Sequence, residues 1–172
     1  SNTKQWHSAL DGFVQWAGQL DVLLNNAGIL YSGAFENTSL EDHSRTIQVN
    51  VNGVLNGCHS GFEHLKANTH GARIINLSST SAIYGQTNLA SYSASKFAVR
   101  GLTEALDNEW KSHNIRVMDI MPMFVQTAMV TNMDAGSIEK MGVHLRAEDV
   151  AKVIYKAATA NRWLAPTHWP VG

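Results

Sequence analysis

Tyr92 and Lys96, in the run Tyr92-Ser93-Ala94-Ser95-Lys96, stand four residues apart, a spacing that puts a phenol and an ammonium on one face of a helix. A free tyrosine titrates near pH 10, so roughly one in a thousand is ionised at neutral pH. A cation about 4 Å away is worth on the order of 4 kcal/mol at an intermediate effective dielectric, or about three pKa units. One well-placed lysine could therefore make the phenol a usable proton acceptor. The same spacing also occurs on ordinary solvated helix faces, so the pair alone does not define a site. Its company does more. Ser79 lies thirteen residues before Tyr92, just past the apolar run 73–77, and Asn25-Asn26-Ala27-Gly28 closes the apolar run 21–25. In open parallel α/β sheets, sites form at the carboxyl ends of the strands, where all of these would meet.

The elements that must carry these residues are legible in the periodicity. Trp6, Ala9, Leu10, Phe13, Trp16 and Ala17 recur at helical spacing, with Gly18 placed to end the helix. Ser39 with Asp42 resembles a capping box, and opens a long helix expected to run to about residue 67. Residues 73–77 and 115–121 are apolar and β-branched strands, the second halted by Pro122, and a long helix is expected over 88–110. Glu148 and Asp149 mark another helix start, with acid in its first turn, and 162–169 could form a last strand. The stretch 122–145, carrying Met123, Phe124, Met129, Met133 and Met141, reads as a loop with short helical turns. It is either plain core or an adaptable apolar wall. Strands apolar along their whole length and bridged by helices argue a parallel sheet covered on both faces.

Composition narrows the partners. The 172 residues are expected to form one domain; 44% are hydrophobic and 16% charged, and a formal net charge of −1 gives no electrostatic reason to expect nucleic acid or an anionic membrane. No apolar run is long enough to span a bilayer. Cys58 stands alone, so neither an intramolecular disulfide nor a cysteine zinc cluster is possible, and a reducing, cytoplasmic setting is the expectation. The eight histidines show no metal-ligand spacing, and no metal is expected. Gly57-Cys58-His59-Ser60-Gly61 misses the nucleophile-elbow pattern by one place and reads as helix packing. Asn37-Thr38-Ser39 and Asn76-Leu77-Ser78 match the glycosylation pattern by chance; Trp6 and Trp16 are expected in the core.

Asn25-Asn26-Ala27-Gly28, Asn50-Val51-Asn52-Gly53, Ser79, Tyr92-x-x-x-Lys96 and Pro122-x-x-x-x-Thr127, in that order and spacing, resemble the single-domain branch of the short-chain dehydrogenase/reductase family over nearly the whole chain. The resemblance implies a Rossmann-like, doubly wound parallel α/β sheet, here of about four strands with flanking helices. It also implies reversible oxidation of a secondary alcohol to a ketone with NAD or NADP. Tyr92 would exchange a proton with the substrate oxygen while hydride moves to or from the nicotinamide. Lys96 would lower the tyrosine pKa and hold the nicotinamide ribose, Ser79 would hydrogen-bond the reacting oxygen, and Asn50 would hold a water linking the lysine to solvent. Asn25, Ala27 and Gly28 would border the adenosine, and Pro122, Val125 and Thr127 the nicotinamide. Ile83, Tyr84, Met123 and Phe124 join Ser79 as pocket candidates for an apolar alcohol or ketone. The helices over 39–67 and 88–110 would form the interface of a homodimer or homotetramer. Two choices stay open on the residues themselves: Ser79 also suits a simple turn, and Asn52 competes with Asn50.

The sequence departs from the family in two places. It has no Gly-rich turn between a first strand and helix, the element that grips a pyrophosphate. The first three strands, and with them the choice between NAD and NADP, are therefore expected to be absent, residues 1–172 forming the C-terminal portion. In the strand order 3-2-1-4-5-6 the run 21–25 would then be an open edge, prone to association. The second departure is Met123, where the family usually has glycine; its side chain would crowd the nicotinamide approach. Two other readings remain: a catalytically silent fragment serving as a dimerising scaffold, and a sugar-nucleotide epimerase or dehydratase of the same superfamily.

Overall fold

The computed structural model describes residues 3–127, 144–161 and 164–172. Four strands, β1 (Val22–Asn25), β2 (Ala72–Leu77), β3 (Ile115–Pro122) and β4 (His168–Val171), pair in parallel in the order β1-β2-β3-β4. Among the described residues, α1 (Thr3–Ala17) precedes β1, and α2 (Leu40–Asn50), α3 (Asn52–Lys66), α4 (Ala90–Glu109) and α5 (Ala147–Thr159) lie in the connections between strands. This is the doubly wound α/β arrangement expected. Parallel neighbours need crossovers, and the crossovers cover both faces. Successive residues of a strand point to opposite faces. Ile74 and Val117 pack with Leu10, Val54, Leu65 and Val99 under α1, α3 and α4, whereas Ile75, Met118 and Ile120 pack with Val150 and Ala157 of α5. β3, flanked on both edges and both faces, is buried along its whole length.

Local chemistry sets the element ends. Gly18 adopts φ +87° and donates its N–H to Val14 O at 2.8 Å, closing α1 as a left-handed cap. Ser39 caps α2, its Oγ accepting from Asp42 N at 3.1 Å. Arg116 and Thr167 both donate to Asp107, at 2.8 and 2.9 Å, and so tie the approach to β4 onto the end of α4.

Several expectations are corrected. The long helix over 39–67 is two helices, interrupted at Val51, which keeps its N–H bond to Ile47 O (2.9 Å) while the axis breaks. The second long helix, by contrast, falls where expected, and after Glu109 it tightens into a 3₁₀ turn (Trp110–His113) closed by left-handed Asn114. Pro122 sits within β3, at its last position and opposite Val171, where a missing N–H disturbs only one rung. The last strand begins at His168, later than 162. Trp16 is 83% exposed and stacks loosely on exposed Phe13, whereas Trp6 does pack on the core. Both lie on the helical stripe, which turns away from the sheet before the helix ends. Among the described residues β1 pairs with β2 alone, and its Leu24 is 38% exposed. Met129, Met133 and Met141 lie outside the described residues.

One row of the register is polar in every strand. Asn25 is opposite Asn76, Asn76 opposite Asp119, and Asp119 opposite His168. Registered neighbours share a face, here the face under α3 and α4. Asn25 Nδ2 donates to Asn76 Oδ1 (2.9 Å), Asn76 Nδ2 to Thr103 Oγ1 of α4 (3.0 Å), and His168 Nδ1 lies 2.8 Å from Asp119 Oδ1. α3 approaches this row so closely that a Cβ on Gly57 would fall 2.1 Å from Asn25 Oδ1. One on Gly61 would meet only the flexible end of Leu23, at 2.7 Å. Since Asn25 is pinned by hydrogen bonds, Gly57→Ala should destabilise by roughly 1–3 kcal/mol, and more than Gly61→Ala, in urea unfolding. Equal costs would show that the row is not rigid.

Candidate active site

The carboxyl ends of β1, β2 and β3 open into a cavity of about 580 Å³, lined by Ala27, Gly28, Ser79, Tyr92, Lys96, Pro122, Met123, Phe124, Val125 and Thr127 among others. These residues, taken from four separate stretches of the sequence, thus converge. Ser79 follows β2 directly, in extended conformation (φ −168°), and caps the 3₁₀ turn Thr80–Ala82, its Oγ accepting from Ser81 N at 3.1 Å. The turn role and a place in the cavity wall coexist, because the same hydroxyl also lies 3.2 Å from Ser81 Oγ and 3.4 Å from Pro122 O, while Ser79 and Tyr92 both line the cavity.

Tyr92 and Lys96 lie one turn apart on α4, and both face the cavity. Their arrangement differs from the simple expectation. The Lys96 ammonium lies over the phenol ring, 5.4 Å from its centroid, and donates to Leu77 O of β2 at 2.8 Å. Burial pushes the phenol above its usual range, and the Ser79 hydroxyl is what opposes this. Burial also lowers Lys96, to about 8, with the Asp119 carboxylate pulling it back up. Desolvation disfavours the charged form of each group. The phenol is therefore held neutral, and the lysine lies close enough to neutral pH to change charge.

Asn50, the last residue of α2, clamps the loop that follows β1. Its Oδ1 accepts from Ile29 N at 2.8 Å, while its Nδ2 donates to Ile29 O at 2.9 Å and to Ser95 Oγ at 3.0 Å. Ser95 Oγ in turn donates to Tyr92 O at 2.6 Å. Asn52 instead bonds Gln48 on the helix exterior (2.8 Å), whereas the Asn50 amide is taken up by Ile29 and Ser95 and is not among the cavity-lining residues.

Other candidates move. Ile83 and Tyr84 are not among the lining residues and are 50% and 46% exposed, because the 3₁₀ turn after Ser79 points them outward. Asn25 does not line the cavity; it belongs to the polar row. Met123 does line it and reaches the chain end, where a Cβ on Gly172 would meet its Sδ at 2.6 Å. The sequence reading missed Leu30, Gln86 and the α5 residues Val150 and Ile154. Gln86 sits in the polar stretch between Ser79 and Tyr92, which was signal enough to include it; the α5 pair look like ordinary stripe residues. Among the described residues, no group of three or more His, Cys, Asp or Glu could hold a metal ion, and no helix is long and apolar enough to cross a membrane.

A parallel sheet covered by helices on both faces is the architecture of a family to which the sequence also points. The profile of the short chain dehydrogenase family matches residues 1–137, and the chain belongs to that family. It is 35% identical over 133 residues to the trans-4-hydroxycyclohexanecarboxylate dehydrogenase of Sinomonas cyclohexanicum, covering 77% of this chain and 51% of that one. It is 41% identical over 125 residues to the 3-alpha-(or 20-beta)-hydroxysteroid dehydrogenase of Mycobacterium tuberculosis, covering 73% and 48%. Its structure resembles a 3-ketoacyl-(acyl-carrier-protein) reductase from Brucella melitensis complexed with NADH, with a TM-score of 0.89, 27% identity, and coverage of 99% of this chain and 73% of that one. The chain spans about half the length of the curated relatives it matches.

Removing the Asn50 amide should free the loop after β1. Asn50→Ala is expected to raise hydrogen exchange at the Ile29 amide by about tenfold or more, the loss of roughly 1–2 kcal/mol of local protection. Unchanged exchange would mean that the loop is held by something else.

Proposed function

We propose that the parent protein is an NAD- or NADP-dependent oxidoreductase that interconverts a secondary alcohol and a ketone, with Tyr92 as the proton-transfer group. The observation that carries this reading is that Ser79, Tyr92 and Lys96 line one cavity at the carboxyl ends of the strands, with the Lys96 ammonium 5.4 Å from the Tyr92 ring centroid. Two hydroxyls on one cavity wall can both serve one substrate oxygen, Ser79 as a donor that orients it and Tyr92 as the group that gives or takes its proton.

The residues present fit a dinucleotide. A Cβ on Gly28 would stand 3.4 Å from Asn50 Oδ1 and 3.8 Å from Lys96 Nζ, so the glycine keeps the approach to the ammonium open. Ala27 and Gly28 offer a flat wall, Lys96 offers an ammonium for ribose hydroxyls, and Thr127 and the Pro122–Val125 backbone border the far side. A bound nicotinamide supplies the hydride acceptor or donor.

The direction of proton flow follows from burial. At neutral pH the raised phenol is protonated, and in that state Tyr92 acts as a general acid toward a carbonyl oxygen. For alcohol oxidation the same group must first lose its proton, and the Lys96 ammonium over its ring is the charge that favours the phenolate. Asn50 holds the Ile29 loop and, through Ser95, the first turn of α4 against each other. Leu30, Met123, Phe124, Val125, Val150 and Ile154 give the cavity an apolar lining, which suits a hydrophobic alcohol or ketone. The hydroxysteroid and cyclohexane-ring dehydrogenases among the relatives accord with this.

In the intact protein, Tyr92→Phe should lower turnover of a panel of ketones with NADH and NADPH by about 10²-fold or more, with circular dichroism and cofactor fluorescence titration unchanged. A fully active phenylalanine variant would defeat the proposal.

A further inference from the structure

The polar row ends in a group that the proposed chemistry leaves unused. Asp119 is fully buried in the middle of β3, and its Oδ2 has no hydrogen-bond partner. An orphaned carboxylate oxygen in the core is costly unless charge nearby compensates it. The surroundings supply that charge. From β4, His168 bridges two carboxylates: Nδ1 is 2.8 Å from Asp119 Oδ1, and Nε2 is 3.0 Å from Glu104 Oε1 of α4. From α4, residues four apart form a stripe of alternating purpose: Lys96, then Arg100, then Glu104, with Arg100 Nε 3.0 Å from Glu104 Oε1. β2 contributes the neutral amide of Asn76, opposite Asp119 in the register. The charged groups on the elements packed against Asp119 are thus His168 from β4 and Lys96, Arg100 and Glu104 from α4, and the Lys96 ammonium is anchored on Leu77 O, one residue along β2 from the Asn76 that stands opposite Asp119.

We infer that Asp119 is a positioning residue for Lys96: its carboxylate, held in place by His168 and through it by Glu104, is the buried countercharge for the ammonium at the cavity wall. Of the surrounding groups, Asp119 is the one that raises the lysine against the lowering effect of burial. Burial in turn pushes Asp119 upward, while the His168 hydrogen bond and charge and the Arg100 charge hold it down and Glu104 adds to the rise. The array therefore runs from an exposed glutamate on α4, through a half-buried imidazole, to a buried carboxylate beside the strand end on which Lys96 is anchored.

The kinetic consequence rests on the function proposed above; the titration does not. The test is the pH titration of the Lys96 ε-carbon by NMR of ¹³C-lysine-labelled intact protein, the signal assigned with Lys96→Arg. Asp119→Asn keeps an oxygen for the His168 N–H and removes only the charge, so a merely structural role would leave the lysine unmoved. The expected result is a midpoint near 8 in the parent and a fall of about one unit in Asp119→Asn, with the alkaline limb of kcat/KM moving alongside. If Asp119→Asn does not fold, Asp119→Ser supplies the reading. It removes the same charge with a smaller polar side chain, and the lysine midpoint should fall in the same direction. An unshifted lysine in a folded variant of either kind overturns the inference. A shifted lysine in a protein whose Tyr92→Phe variant stays fully active would retain it and discard the proposed function.

Discussion

A polar row across the middle of an otherwise apolar sheet is the constraint on which the rest of the structure turns. Asn25, Asn76, Asp119 and His168 occupy one register position in four adjacent strands, on the face covered by α3 and α4. Each must find partners there, because an unpaired polar group in the core costs more than a hydrogen bond returns. The partners come from the helices and the row itself: Thr103 and Glu104 from α4, and the near approach of α3 at Gly57. The row consequently fixes the depth and rotation of α4, the helix that carries Tyr92 and Lys96. A slip of one residue in any strand would turn its member to the α5 face, where Ile75, Met118 and Val150 have nothing to offer it.

Once α4 is fixed, the site geometry follows from small anchoring bonds. Lys96 reaches the last carbonyl of β2, Ser95 reaches back to Tyr92 O, and Asn50 joins Ser95 to the Ile29 loop. These bonds tie three elements that are distant in the chain into one unit at the sheet's carboxyl edge. Low dielectric then does the electrostatic work. The phenol is held neutral by burial, and the lysine is drawn down toward neutral pH. Desolvation and nearby groups pull on the pair in opposite senses, with Asp119 raising the lysine and Ser79 lowering the phenol.

Much of this was legible in the residues. The apolar strands, the Ser39 cap, the helix start at Glu148 and the phase that put Tyr92 and Lys96 on one face depend on periodicity and local capping, which are properties of neighbouring residues. The break at Val51 was not legible, since both halves keep the same helical pattern, and neither was the bond from Asn50 to Ile29, twenty-one residues away. Nor was the exposure of Trp16, whose stripe position is sound but whose end of α1 runs beyond the sheet. Ile83 and Tyr84 stood at the right place in the chain and were turned outward by a 3₁₀ turn that residue types did not announce.

The sequence by itself determined which residue types were available for proton transfer and on which side of which element they would stand, because helical and extended periodicities are local. Only the tertiary structure decided their charge states and the part played by Asp119. Read alone, Asp119 is one polar residue in an apolar strand. Its meaning depends on strand register and on what α4 and β4 lay across it, and a pKa is set by burial and by charges that the chain brings together from far apart.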